Sequence, residues 1–238
     1  MCSYGSLVFF FFCFGIVDSS FAETIFKSGK LQVPLVELFS SEGCSSCPPA
    51  EKWIGDLRHR SELWKDFVPV NFHVDYWNRL GWIDPHSQKE FSMRQKLYAD
   101  LWQSDRVFTP AFVVNGALKE TRGDLAWLKK GGPTGELEVA IPSKGKYTVK
   151  YSEPGDFTAH IALLGKGYVS KISAGENKGE TLRQDFVVHK FISANLVRGK
   201  TEFSIEQKKF NPPDGFAVAL WITKTNSMIP LQAVGGNL

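Results

Sequence analysis

Apolar and polar positions along the chain fall into two regimes. In the first, an apolar run from Pro34 to Phe39 is followed by Glu51 to Trp64, where Trp53, Ile54, Leu57, Leu63 and Trp64 recur at near-helical spacing. A second apolar run, Phe67 to Val74, comes next. The order reads as strand, loop, helix, strand. An aromatic loop, Asp75 to Pro85, carries Tyr76, Trp77 and Trp82. Ser87 to Trp102 then places Phe91, Gln95 and Tyr98 along one side of a helix, with Met93, Leu97 and Leu101 nearby. Ala111 to Val114 reads as a third strand, which Asn115-Gly116 turns into Ala117 to Thr121, because Asn-Gly favours the two positive φ angles of a tight hairpin. Asp124 is placed to cap a short helix through Lys130.

Beyond Gly131-Gly132-Pro133 helical periodicity gives way to short runs rich in Val, Ile, Thr and aromatics. The candidate strands are Leu137 to Ile141, Tyr147 to Tyr151, Phe157 to Leu164, Tyr168 to Ile172, Thr181 to Ile192, Thr201 to Ile205, Phe216 to Thr223 and Ile229 to Val234. Gly, Pro, Asn and Asp between them suggest an antiparallel sandwich. The expected architecture is an α/β domain over residues 31–132 followed by an all-β, sandwich-like domain over 133–238.

The N-terminus differs from both. Leu7 to Val17 is almost unbroken apolar sequence, too short to span a bilayer comfortably, and small residues at Ser20 and Ala22 offer a signal-peptidase site. A signal peptide over residues 1–22 is expected, giving a secreted or periplasmic protein with no stable membrane insertion after cleavage. Met1 to Ser6 contains no Lys or Arg, which is unusual for a leader. The composition, 43% hydrophobic and 22% charged, is that of an ordinary globular protein, which excludes a disordered chain. A net charge of +3 without any basic run argues against a nucleic-acid partner.

Loss of the leader removes Cys2 and Cys13, leaving Cys44 and Cys47 as a single C-x-x-C pair. In an oxidising compartment such a pair is local rather than part of a long-range framework. Pro48 and Pro49 are tolerated only in a first helical turn, so a helix starts close to Cys47 and its positive end favours a thiolate. Cys44, on the loop side and expected to be the more exposed, is the candidate attacking thiol, and Cys47 the resolving one. The expected reaction is thiol–disulfide exchange with protein thiols or disulfides, an oxidoreductase activity through a redox-active disulfide that requires no dissociable cofactor. Structural zinc takes four ligands, and neither a second cysteine pair nor a paired histidine spacing exists among His59, His73, His86, His160 and His189. Three alternatives stay open: a carrier of a soft ion such as Cu(I) on the same two thiols, a static local disulfide, and a non-catalytic binding module. Glu37, in a strand with apolar neighbours, is a secondary candidate as proton acceptor for Cys47; a solvent-facing or backbone-bonded carboxylate is the competing reading. Asp75, Tyr76 and Trp77 follow a strand whose end should share an edge with the cysteine loop, which makes Asp75 a further secondary candidate, at the rim of the site; packing of the long loop by Trp77 and Trp82 is the competing reading.

The residues Glu37-Leu38-Phe39, Gly43-Cys44-Ser45-Ser46-Cys47-Pro48-Pro49-Ala50, Val74-Asp75-Tyr76-Trp77, Leu80-Gly81-Trp82, Asp84-Pro85, Thr109-Pro110 and Val113-Val114-Asn115-Gly116 carry a resemblance. So do Gly175-Glu176-Asn177, Gly179 and Leu182 in the β-rich half. Together they resemble the secreted thioredoxin-like family known as domain of unknown function 1223. The resemblance implies an α/β thioredoxin-like domain ahead of the all-β one. It also implies a cis-proline at Pro110 facing the cysteines, with Thr109 and Pro110 docking the substrate backbone. Glu42 and Ala111 depart from the family pattern, where relatives are expected to carry glutamine.

Overall fold

The computed structural model describes residues 23–119, 125–207 and 211–238. The leader with Cys2 and Cys13, the end of the Ala117–Thr121 strand and the Asp124 cap lie outside the described residues.

A short strand not anticipated from the sequence, β1 (Thr24–Lys27), opens the fold. Then β2 (Leu35–Ser40) and β3 (Val68–His73) lie parallel in register Leu35↔Val68 to Ser40↔His73, both buried along their whole length. Burial on both faces is what their near-continuous apolar runs require. Between them α1 (Pro48–Asp56) starts at the two prolines, with Cys47 as its N-cap. It is shorter than the Glu51–Trp64 periodicity suggested, since the chain tightens into a 3-10 turn at Leu57–His59 and Trp64 adopts a positive φ. After the aromatic loop comes α2 (Lys89–Leu101), which buries Phe91, Arg94, Gln95, Tyr98 and Ala99 and leaves Met93, Leu97 and Leu101 about half exposed. The hairpin of β4 (Ala111–Val114) and β5 (Ala117–Lys119) turns on Asn115-Gly116, with φ of 47° and 82°.

The second half supplies β6 (Leu137–Ser143), β7 (Lys146–Tyr151), β8 (Phe157–Gly165), β9 (Tyr168–Lys171) and β10 (Thr181–Gln184). It continues with β11 (Val187–Asn195), β12 (Lys200–Ser204), β13 (Phe216–Lys224) and β14 (Pro230–Asn237). The single run Thr181–Ile192 is two strands, because Phe186 takes a φ of 55° and breaks it. That break lets β11 start beside β3, in parallel, at Val187↔Asn71.

This pairing overturns the expected fold class. Strands of both halves form one eight-stranded sheet, β14-β13-β8-β11-β3-β2-β4-β5, rather than an α/β thioredoxin-like domain followed by a separate sandwich. Strand makes up 43% of the structure and helix 15%, with only two α-helices among the described residues, so the fold is mostly β. The mostly-β fold conflicts with the expected thioredoxin-like and oxidoreductase assignments. A four-stranded sheet, β1-β6-β7-β12, covers one face of the long sheet, burying Val139, Tyr147 and Val149 against Ile161, Leu163, Val218 and Leu220. The opposite residues of the same strands, Ala162, Leu164, Ala219 and Trp221, join the core that continues beneath β2, β3 and the helices. Alternation along β8 and β13 thus serves two cores at once.

Candidate thiol site

The cysteine loop runs from the end of β2 into α1. Backbone bonds from Cys44 N–H to the Ser41 carbonyl (3.0 Å) and from Cys47 N–H to the Cys44 carbonyl (3.1 Å) wind it into successive tight turns. The thiols are free, so the redox-active disulfide expected from the sequence is not formed. Neither sulfur is the exposed one: Cys44 and Cys47 are both 0% accessible, although Ser45 and Ser46 between them face solvent.

Around Cys44 the polar contacts converge. Its Sγ lies 3.3 Å from Ser46 Oγ and 3.7 Å from the Thr109 carbonyl, and the Thr109–Pro110 peptide is cis. Trp77 donates its indole N–H to Thr109 Oγ1 at 2.7 Å, which leaves the threonine hydroxyl proton to be shared among its other neighbours, the two sulfurs and the Tyr76 hydroxyl. The Cys47 thiol donates to the Cys44 sulfur, and with the Ser46 and Thr109 hydroxyls it outweighs burial and brings the Cys44 thiol down to about 6. Cys47 is pushed far up, first by burial and then by the Cys44 sulfur and the charge of Glu51. One thiol is readily ionised and the other holds its proton.

The loop between β9 and β10 closes over this turn. Asn177 donates to the Glu42 carbonyl (2.8 Å) and the Cys44 carbonyl (3.0 Å), and Glu176 accepts from Ser45 N–H at 3.0 Å. In the sequence both residues stand out only through the family resemblance. A contact spanning 133 positions leaves no local pattern.

The two secondary candidates go elsewhere. Glu37 is buried, but on the α2 face of β2, where Arg94 pairs with it at 2.6 Å and the Tyr98 hydroxyl donates to it. The alternation that puts Leu38 and Ser40 toward α1 points Glu37 away from Cys47, so it is not the proton acceptor. Asp75 accepts from Ser92 of α2, through its carboxylate, and reaches neither sulfur.

Behind Cys47, on the α1 face, lies a cluster that sequence reasoning passed over. Glu51, one turn on from Cys47, is 2% exposed and accepts from Gln184 of β10 at 2.8 Å. Burial pushes its carboxyl up to about 7. His73 stands 2.7 Å from Asp84; burial works against its charge, but Asp84 overcomes this and holds the imidazole up at about 9. Asp84 also accepts the backbone N–H of Glu42 at 2.9 Å. Glu51 Oε1, Gln184 Oε1 and Glu42 Oε1 are buried without a hydrogen-bond partner. Among the described residues no group of three or more His, Cys, Asp or Glu side chains is arranged to hold a metal ion.

Residues 35–223 match the family described as "Protein of unknown function (DUF1223)". The chain belongs to the DUF1223 family. No curated protein matches the sequence. Among solved structures it is similar to a structural-genomics target from Agrobacterium tumefaciens, with 20% identity and a TM-score of 0.64, over 87% of this chain and 94% of that one. It is also similar to HBP35 of Porphyromonas gingivalis, with 13% identity and a TM-score of 0.60, over 88% of this chain and 76% of that one. At these identities the likeness extends to the fold. For this DUF1223 chain, function has to be argued from the site itself.

Proposed function

We propose that this DUF1223 protein carries out thiol–disulfide exchange with protein thiols or disulfides, Cys44 attacking and Cys47 resolving. The observation that supports it is the donor set on the Cys44 sulfur, from Cys47, Ser46 and Thr109, which favours a thiolate near neutral pH. In the reducing direction the Cys44 thiolate attacks one sulfur of a partner disulfide, whose S–S bond breaks and releases a thiolate. Cys47, deprotonated, then attacks the Cys44 sulfur of the mixed disulfide and releases the second partner thiolate. The partner gains two electrons and the cysteine pair loses two. The reverse sequence oxidises a partner dithiol. Because the Cys44 sulfur is covered, each exchange requires local opening of the Ser45–Ser46 or Phe108–Thr109 segment.

Alkylation of the purified protein against pH tests the reading. A reactive thiol with a midpoint near pH 6, lost in Cys44→Ser, is the expected result. Two thiols that react no faster than a model cysteine overturn it. We also propose that the protein works outside the cytosol, a reading supported by the apolar run Leu7–Val17 and the small residues Ser20 and Ala22.

A further inference from the structure

Resolution of a mixed disulfide requires Cys47 to lose a proton, and the pair as it rests makes that difficult. Burial and the neighbouring Cys44 thiolate both hold the proton on Cys47. Once Cys44 is bonded to a partner sulfur its negative charge is gone, and its share of that hold goes with it, while burial remains. A nearby base is still needed, since a buried thiol has no water to ionise into.

Glu51 occupies that place. It lies four residues beyond Cys47 on α1, its backbone N–H donates to the Cys47 carbonyl at 3.0 Å, and its charge acts on the Cys47 thiol. Residues four apart on a helix lie one above the other on the same face. One carboxylate oxygen is occupied by Gln184, while Oε1 is buried and has no hydrogen-bond partner, the nearby Ser40 hydroxyl donating instead to Asn71 Oδ1 at 2.9 Å, so an acceptor is left over. Glu51 also lines a cavity of about 490 Å³ between α1 and β10, shared with Lys52, Gly55, Arg58, Arg183 and Asp185. The orphan acceptor and the opening onto solvent are independent of each other.

Resting on the exchange reading above, we infer that Glu51 is the base that takes the Cys47 proton during resolution and passes it to solvent through the α1–β10 cavity. The Cys47 S–H bond breaks and the Glu51 carboxylate becomes a carboxylic acid. The Cys47 thiolate then forms the disulfide with Cys44 as the bond from Cys44 to the partner breaks. The acid finally loses its proton through the cavity, restoring the carboxylate. The charged groups facing Glu51 are compatible with this cycle. His73 from β3 favours the anion, Asp84 from the following loop and Cys47 beside it oppose it, and the exit is lined by both signs, Lys52, Arg58 and Arg183 with Asp56, Glu180 and Asp185, together with His59. The balance leaves the carboxyl titrating at about 7, where it can both accept and release a proton.

Stopped-flow reaction of the reduced protein with 5,5′-dithiobis(2-nitrobenzoate) separates the two steps. The first thionitrobenzoate reports attack by Cys44 and the second reports resolution by Cys47. In the native protein the second phase should rise with pH to a midpoint near 7. Glu51→Gln should keep the first phase, slow the second about 100-fold, within the usual range for a general base, and abolish its midpoint. Glu51→Ala should be slow likewise and be accelerated by added formate entering the cavity, which a merely structural residue does not allow. An unchanged second phase in Glu51→Gln overturns the inference. Should the variants fail to fold, a native second phase with no midpoint between about pH 5 and 9 overturns it as well. A native protein that releases no first equivalent refutes the exchange reading itself, a different failure from loss of the second phase alone.

Discussion

Replacing Arg94 with methionine should leave Glu37 as an unpaired buried carboxylate and destabilise the protein by about 3–5 kcal/mol, the usual cost of breaking one side of a buried ion pair. The structure gives the reasons. The guanidinium is 5% exposed, bonds Glu37 through both Nε (2.7 Å) and Nη2 (2.6 Å), and sits 5.2–5.4 Å from the ring centroids of Phe72, Tyr98, Phe191 and Trp221. Loss of the cation–π contacts adds up to about 2 kcal/mol, and methionine recovers part of that by packing against the rings. For a chain of this size each kcal/mol moves Tm by about 2–4 °C, so a fall of roughly 6–20 °C is expected. The double variant Glu37→Leu with Arg94→Met removes both charges. The Tyr98 hydroxyl still has the Met228 carbonyl as acceptor at 3.2 Å, and stability should return to within about 1 kcal/mol of the native protein. Urea unfolding followed by tryptophan fluorescence measures all three proteins. An Arg94→Met cost below about 1 kcal/mol, or a double variant no better than the single, refutes the argument. Glu37→Gln should leave the pH midpoint of Cys44 alkylation where it is. A moved midpoint would put Glu37 back beside the thiols.

Cys44→Ser should abolish exchange, whereas Cys47→Ser should accumulate mixed disulfides, read by mass spectrometry of the trapped adducts; equal behaviour of the two variants refutes the assigned order. Asn177→Ala leaves the Glu42 and Cys44 carbonyls without their donor, and should cost about 1–3 kcal/mol and speed alkylation of Cys44, measured by thermal unfolding and thiol trapping. Burial first, and then Arg94, pushes His160 down to about 3, so its native form binds fewer protons than the unfolded chain between there and about 6.5. Its contribution is complete above pH 6.5 and is lost as the pH falls toward 3, at up to roughly 1.4 kcal/mol per pH unit. Urea midpoints against pH should show this slope, reduced in His160→Gln. N-terminal sequencing of protein exported by its native host should begin near Glu23, and an intact Met1 would contradict the leader.

Most strands of both halves, though not β1 or the break between β10 and β11, and the placing of α1 behind the cysteines were legible from the chain, because apolar runs, Asn-Gly and the Pro48-Pro49 pair act through local geometry. The place of Cys44 and Cys47 at the start of that helix was legible for the same reason. What the chain did not disclose is how the pieces join. A single left-handed residue, Phe186, splits one apparent strand and carries β11 to the edge of β3, and so replaces two expected domains with one continuous sheet. The sides of β2 were equally hidden. Glu37 and Ser40 lie three residues apart, on opposite faces, and an apolar run buried on both faces does not say which helix covers which side. Tertiary packing assigned Glu37 to Arg94 on α2, and gathered Glu51, His73, Asp84 and Gln184 behind Cys47. Those groups come from four separate stretches of sequence. Their burial and charge take effect only when the sheet brings them together, because a carboxyl or imidazole changes its acidity through desolvation and near neighbours rather than through its position in the chain.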